Sequence, residues 1–320
     1  MFCFCRILEA NKYEGVMVKG PQSELFTPVQ DTGVVDWVAQ WFVYALSNGN
    51  RSYLTREDLH GMVMDIMHTH PGLEFCREAT DFHDKYRDVV IARILWNLGS
   101  VWKETITAEH LRKSDLLERI RQLQEDFDIN RCVRYFSYEH FYVVYCKFWE
   151  IDTNHDQVVS KADMRMHKDG VSAITDLVLD RIFSTAVRNT KGDMMNLTDF
   201  TYFLLAEEDK THPTSLEYWF RVLDVDGVGV ISMYVMEKFH EQVIAKLSEE
   251  GIDSMSFKDV ACQVRWRILE ENFAAERLRI EEHGSCGERA GSLGNIPVVV
   301  ELKNELFAVS VAYCLHVHSW

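Results

Sequence analysis

Six times along this chain an apolar residue precedes Ser, Thr or Asn, and an acid or histidine stands three residues further on: LTRED, ITAEH, FSYEH, VSKAD, MNLTD and MSFKD. The second residue of the phrase suits a helix N-cap, whose side-chain oxygen accepts an orphan backbone N–H. The fifth can close a reciprocal capping box. Each copy therefore marks a point where extended chain turns into helix. The layout also fits the end of an EF-hand loop. There the eighth position is an apolar residue in a short strand, the ninth caps the exiting helix, and the twelfth places an acid or amide in its first turn. A single copy is more often a plain helix cap; the set reads as an internal repeat. It predicts an all-α chain, an elongated array of EF-hand and EF-hand-like helix-loop-helix units.

Composition agrees with helices. Hydrophobic residues make up 47% and aromatics 12% of 320 residues, enough for a sizeable core, and five prolines and 16 glycines are few for that length. Fifty acidic against 34 basic residues leave a net charge of −16, which repels nucleic acid and anionic lipid and suits cations or basic partner surfaces. The eight cysteines are scattered, with no ladder of pairs and no CxxC zinc motif, as expected in a reducing cytoplasmic or nuclear setting. MFCFCRILEA is too short and too soon interrupted by charge for a signal peptide. No uncharged apolar run reaches the roughly 20 residues of a membrane span.

Only copies with good upstream ligands carry chemistry. In FWEIDTNHDQVVSKAD, Asp152, Asn154 and Asp156 take loop positions one, three and five. Val158 offers its carbonyl at seven, Val159 fills eight, and Ser160 and Asp163 stand at nine and twelve. Alternate inward-pointing oxygens suit a hard cation that wants six to eight of them, calcium first and magnesium at the same site. Gln157 stands where glycine normally takes the left-handed turn, which costs about 1 kcal/mol, and Asp163 is shorter than the usual bidentate Glu. A modest site follows. The loop LDVDGVGVISMYVM keeps Asp224 and Asp226 at one and three and Gly229 at six. Val228 and Val235 replace the ligands at five and twelve, so this degenerate loop reads as a metal-free structural hand. Between them, RNTKGDMMNLTD is hand-like but begins on Arg188. It lies 36 residues from both Asp152 and Asp224, which leaves its pairing partner open.

Apolar spacing predicts a helix over 37–46 with Trp37, Val38, Trp41, Phe42, Ala45 and Leu46 on one face. A second, capped at Thr55, carries Leu59, Met62, Val63 and Ile66 and is stopped by Pro71 and Gly72. Further helices are predicted over 176–187, over 216–223 behind a Thr214 cap, and over 256–283. The organisation expected is a divergent N-terminal segment (1–32), a helical EF-hand-like region (33–130), an EF-hand region with two recognisable loops (131–263), and a divergent helix, Gly-rich linker and apolar tail (264–320).

Three blocks, RYFSYEHFYVVYCKFWEIDTNHD, LAEEDKTHPTSLEYWFRVLDVDG and THPGLEFCREATDFHDKY, closely resemble the B″ regulatory subunits of protein phosphatase type 2A. The likeness extends over about residues 33 to 263. It implies a non-catalytic subunit that binds the phosphatase scaffold subunit and catalytic subunit and directs the enzyme to phosphoprotein substrates. It also implies calcium ligands at Asp152, Asn154, Asp156, Ser160 and Asp163, and carries none to Val228 or Val235. The hands alone would equally suit a free-standing calcium sensor or buffer with unrelated partners. Enzyme motifs are lacking: there is no HExxH, P-loop or GxSxG. His68 and His70, and His316 and His318, have no zinc-like partner set nearby in sequence, and Cys132 and Cys146 flank an aromatic run best suited to packing.

Overall fold

A computed structural model describes residues 34–166, 174–188, 192–249 and 251–262. The segments 1–32 and 264–320, the helix expected beyond Cys262, and His316 and His318 lie outside the described residues. The chain is predominantly helical, as the recurring caps predict.

The described chain divides into two compact units, one running to Val159 and adding 195–204, the other formed by 160–194 and the residues from Leu205 onward. The first unit opens with α1 (Val34–Leu46), β1 (Tyr53–Thr55), α2 (Arg56–Thr69) and a 3-10 turn (Pro71–Cys76). It continues through α3 (Thr80–Asn97), β2 (Thr105–Thr107), α4 (Ala108–Lys113), α5 (Leu116–Gln122), a 3-10 turn (Ile129–Arg131) and α6 (Tyr138–Ile151). β1 and β2 pair antiparallel with Leu54 opposite Ile106, so the first two cap phrases form one paired set of helix-loop-helix units. Leu54 and Ile106 are fully buried, as is the α2 stripe Leu59, Met62, Val63 and Ile66. On α1 the buried line is Ala39, Phe42, Val43 and Leu46, and Trp37 stays 40% exposed. This corrects the expected face by part of a turn. The helix is apolar over an arc wide enough for either stripe, and packing chooses between them.

Each phrase in the described residues caps a helix. The N–H of Asp199 donates to Asn196 Oδ1 at 2.9 Å, and that of Asp259 to Ser256 Oγ at 3.3 Å. Thr55 donates its N–H to Asp58 Oδ2 at 2.7 Å, and the His110 N–H reaches Thr107 Oγ1 at 3.4 Å.

His70 closes α2 and holds the following turn. Its Nδ1 accepts the Gly72 N–H at 3.0 Å, so the ring proton sits on Nε2, which donates to the Asp126 carbonyl at 3.0 Å. A Cβ on Gly72 would come within 2.8 Å of the Phe127 carbonyl, so the two segments meet where only glycine fits. Burial pushes the His70 imidazole below its ordinary value, with the Asp126 carbonyl opposing the shift. A lowered folded pKa means that the unfolded chain takes up the proton first. Stability should therefore fall as pH drops below about 6.5, until the folded imidazole itself protonates. Denaturant titrations from pH 7.5 to 5.5 should show a shallower loss in His70→Gln than in the parent; equal slopes would exclude His70 as the source.

In the second unit lie α7 (Lys161–Arg165), α8 (Asp176–Ile182), α10 (Pro213–Leu223) and α11 (Met233–Glu249). The strands β3 (Val159–Ser160) and β4 (Met194–Met195) pair with each other. This settles what spacing left open: the Arg188 copy joins the Asp152 loop. Helix α9 (Leu197–Glu208) follows β4 in the chain. Helix α8 ends at Ile182, short of the 187 expected, with Phe183 as its C-cap and Ser184 Oγ turned back to the Arg181 carbonyl at 2.6 Å. Helix α10 begins at Pro213 with His212 as N-cap, its Nδ1 accepting the Thr214 N–H at 3.2 Å. The cap expected at Thr214 is thus displaced. Proline favours the first helical position because it has no N–H to satisfy, and that moves the cap to the residue before it.

Candidate metal centre

Helix α6 delivers Asp152 to the start of the loop. Phe141, Val144, Phe148 and Ile151 bury one side of this helix, while Tyr142, Val143 and Trp149 on the other are about half exposed. Asp152 is the C-cap, its N–H donating to the Phe148 carbonyl at 2.9 Å. Its side chain is 1% exposed and turned into the loop, where Oδ1 accepts the Asp156 N–H at 3.2 Å and Oδ2 the Gln157 N–H at 2.8 Å. Asn154 Oδ1 accepts the same Asp156 N–H at 3.3 Å and its amide donates to Asp156 Oδ2 at 2.9 Å. Asp156 Oδ1 takes the Val158 N–H at 3.0 Å. The first three ligand positions are thereby drawn together by hydrogen bonds.

His155 and Gln157 bend the chain through the left-handed region, at φ +55° and +67°. The strain expected at Gln157 is present, and Lys85 Nζ donates to its side-chain carbonyl. His155 lies flat on Trp149, ring centroids 3.7 Å apart and planes at 11°, which ties the loop to a half-exposed aromatic of α6.

The end of the loop, in the second unit, is organised as a reciprocal cap. The Ser160 N–H and Oγ–H both reach Asp163 Oδ2, at 2.8 and 2.6 Å, and the Asp163 N–H returns to Ser160 Oγ at 3.2 Å. One carboxylate oxygen at position twelve thus serves the cap. Among the described residues no three His, Cys, Asp or Glu side chains are grouped closely enough to hold a metal by themselves. The donor set here is of another kind, with amide, hydroxyl and main-chain carbonyl oxygens beside the acids. That chemistry fits calcium and fits a softer metal poorly.

The degenerate loop keeps its shape without its charge. Asp224 accepts the Val228 and Gly229 N–H groups at 3.1 and 2.9 Å, the counterpart of Asp152, and Gly227 and Gly229 supply positive φ. Val228 is 67% exposed at position five, and Val235 is buried at position twelve. A cation already stands alongside. Arg181 donates to the carbonyls of Arg221, Val222 and Asp224 at 2.7, 3.0 and 2.8 Å. Burial lowers its guanidinium pKa, opposed by Asp224 and Asp226. Reading the sequence for ligands alone missed this arginine, since nothing in its own helix signals that it reaches the next loop.

Cys76 and Cys132 are buried free thiols, and burial pushes both above their ordinary value, the opposite of what a nucleophile needs. No helix among the described residues is long and apolar enough to cross a membrane.

An EF-hand domain family model matches residues 38–126, the stretch that contains the β1–β2 pair. The chain is 44% identical over 230 residues to the B″ alpha regulatory subunit of serine/threonine-protein phosphatase 2A from Homo sapiens, covering 71% of this chain and 20% of that protein. To the B″ delta regulatory subunit of Mus musculus it is 44% identical over 227 residues, covering 70% of this chain and 46% of that one. The chain thus spans less than half the length of these curated relatives. Among solved structures, a chain of a PP2A PR70 holoenzyme designated diCa superposes with a TM-score of 0.66 at 45% identity, over 70% of this chain and 83% of that one. Identity at this level, sustained over 230 residues, is far more specific than any single EF-hand pattern. The chain therefore belongs to the B″ regulatory-subunit family of serine/threonine-protein phosphatase 2A.

Proposed function

We propose that this chain is a non-catalytic regulatory subunit of a phosphatase 2A holoenzyme, binding its scaffold and catalytic subunits and directing them to phosphoprotein substrates inside the cell. The observation that carries the reading is the 44% identity maintained over 230 residues with a regulatory subunit of that phosphatase. The buried thiols with raised pKa and the absence of enzyme motifs from the sequence support a subunit that does no chemistry of its own.

Calcium would be held at Asp152, Asn154, Asp156, the Val158 carbonyl, Ser160 and Asp163, where it supplies a hard divalent charge that gathers oxygen ligands. The chain's own part is preorganisation. Asp152 is fixed by its helix, and the loop N–H groups already point at its carboxylate. Asp163 offers fewer free oxygens than a glutamate would, because one of them serves the cap. Modest affinity follows.

The test is reconstitution. Purified chain mixed with scaffold and catalytic subunits at micromolar concentration should co-elute as a ternary complex on size exclusion. A folded chain that binds calcium yet elutes apart from both subunits would overturn the reading and favour a free-standing sensor.

A further inference from the structure

Two segments that carry the cap phrase lack the acids of a calcium loop at positions one, three and five, yet in each a guanidinium lies against the ligand positions. Counting from Leu54 at position eight, the loop 47–58 has Ser47, Gly49 and Arg51 at one, three and five and Asp58 at twelve. Arg51 Nη2 reaches both oxygens of Asp58, at 2.7 and 2.8 Å, and the Asp58 side chain is only 11% exposed. Asp58 Oδ2 also accepts the Thr55 N–H at 2.7 Å and the Thr55 hydroxyl at 3.0 Å, so one carboxylate is shared between the cap and the arginine. In 129–140, with Phe136 at eight, Val133 stands at five and His140 at twelve. Arg93 enters from α3, buried, and donates to the Val133 carbonyl; its Nη2 also lies 3.0 Å from His140 Nδ1, which is itself 2.9 Å from that carbonyl. A third arginine behaves alike: Arg188 donates to the Met194 and Phe183 carbonyls at 2.6 and 2.7 Å and to the Gly192 carbonyl.

A guanidinium is permanently charged, and its planar fork of donors matches carboxylate and carbonyl oxygens. It can therefore do locally what an ion does, neutralising and orienting oxygens that would otherwise repel or face bare backbone. We propose that arginine side chains are built-in cations of these calcium-free hands, Arg51 for the loop 47–58 and Arg93 for 129–140. These hands then stand permanently in a cation-loaded form, and the response to calcium is confined to the loop 152–163.

The experiment uses the full chain carrying Asp152→Ala, which silences that loop, and follows thermal unfolding in EDTA and in millimolar calcium. Arg51→Gln should lower the melting temperature by about 2–4 °C, while Arg51→Lys, which keeps the charge, should lose less than half of that. Calcium should move none of the three. Arg51→Asp sets two carboxylates against each other; it should melt lowest in EDTA and regain several degrees in calcium. The proposal is overturned if Arg51→Gln melts with its parent or if Arg51→Lys loses as much as Arg51→Gln. It is likewise overturned if the Asp152→Ala chain with Arg51 intact gains stability from calcium. Should Arg51→Asp fail to fold in either buffer, the comparison of Arg51→Lys with Arg51→Gln decides.

Discussion

Asp152→Ala is expected to weaken calcium binding by at least about 100-fold, because it removes the position-one carboxylate of a site with little ligand to spare. It should also destabilise the chain without any ion. Both oxygens of Asp152 accept loop N–H groups, at 3.2 and 2.8 Å, and the side chain is 1% exposed. Donors left without a buried acceptor cost about 1–3 kcal/mol. Calorimetric titration of the full chain in EDTA-cleared buffer reads the first effect and denaturant melts read the second. The stack of His155 on Trp149, at 3.7 Å, adds an optical readout. Calcium should change the tryptophan emission of the parent, and the change should vanish in Trp149→Phe and in Asp152→Ala. A variant that binds as tightly as its parent would remove the loop 152–163 as the site.

The largest loss of stability is expected at Phe141→Ala, about 3–5 kcal/mol. Phe141 is fully buried, with its ring centroid 5.4 Å from Tyr86 in an edge-on contact, 5.4 Å from Tyr138 and 5.9 Å from Tyr145. Removing it opens a cavity under the helix that delivers Asp152. Tyr86 is itself fixed, its hydroxyl donating to the Phe136 carbonyl at 2.6 Å, so the neighbours cannot easily collapse into the space. Calcium affinity should drop along with stability, since α6 and the loop share that support. Phe127→Ala is the control: its side chain is 76% exposed, and the change should stay within about 0.5 kcal/mol. Equal losses for the two variants, read by urea titration, would contradict this account of the core.

Much of this was legible in local sequence. A capping box depends on residues three apart, so Thr55 with Asp58 and Ser160 with Asp163 announce their helices wherever the chain later goes. The α2 stripe was equally plain, since Leu59, Met62, Val63 and Ile66 have no competing apolar face beside them. Helix α1 was less so. Trp37 and Trp41 looked like core by spacing, and only the packing of the first unit selected Ala39 and Val43 instead.

The sequence by itself determined that capped helices recur as hands or hand-like units, and which loop has acidic and amide residues at the spacing of calcium ligands, because caps and ligand spacing are properties of a dozen consecutive residues. Only the tertiary structure decided what pairs and what neutralises. Spacings of 36 residues in both directions allowed Arg188's hand either neighbour, and the β3–β4 ladder chose one. Arg93 stands 40 residues from the Val133 carbonyl it meets, and Arg181 43 from that of Asp224. No local pattern encodes such contacts: they arise when separate helices close over a shared core, whereas Arg51 and Arg188 lie within the loops they serve.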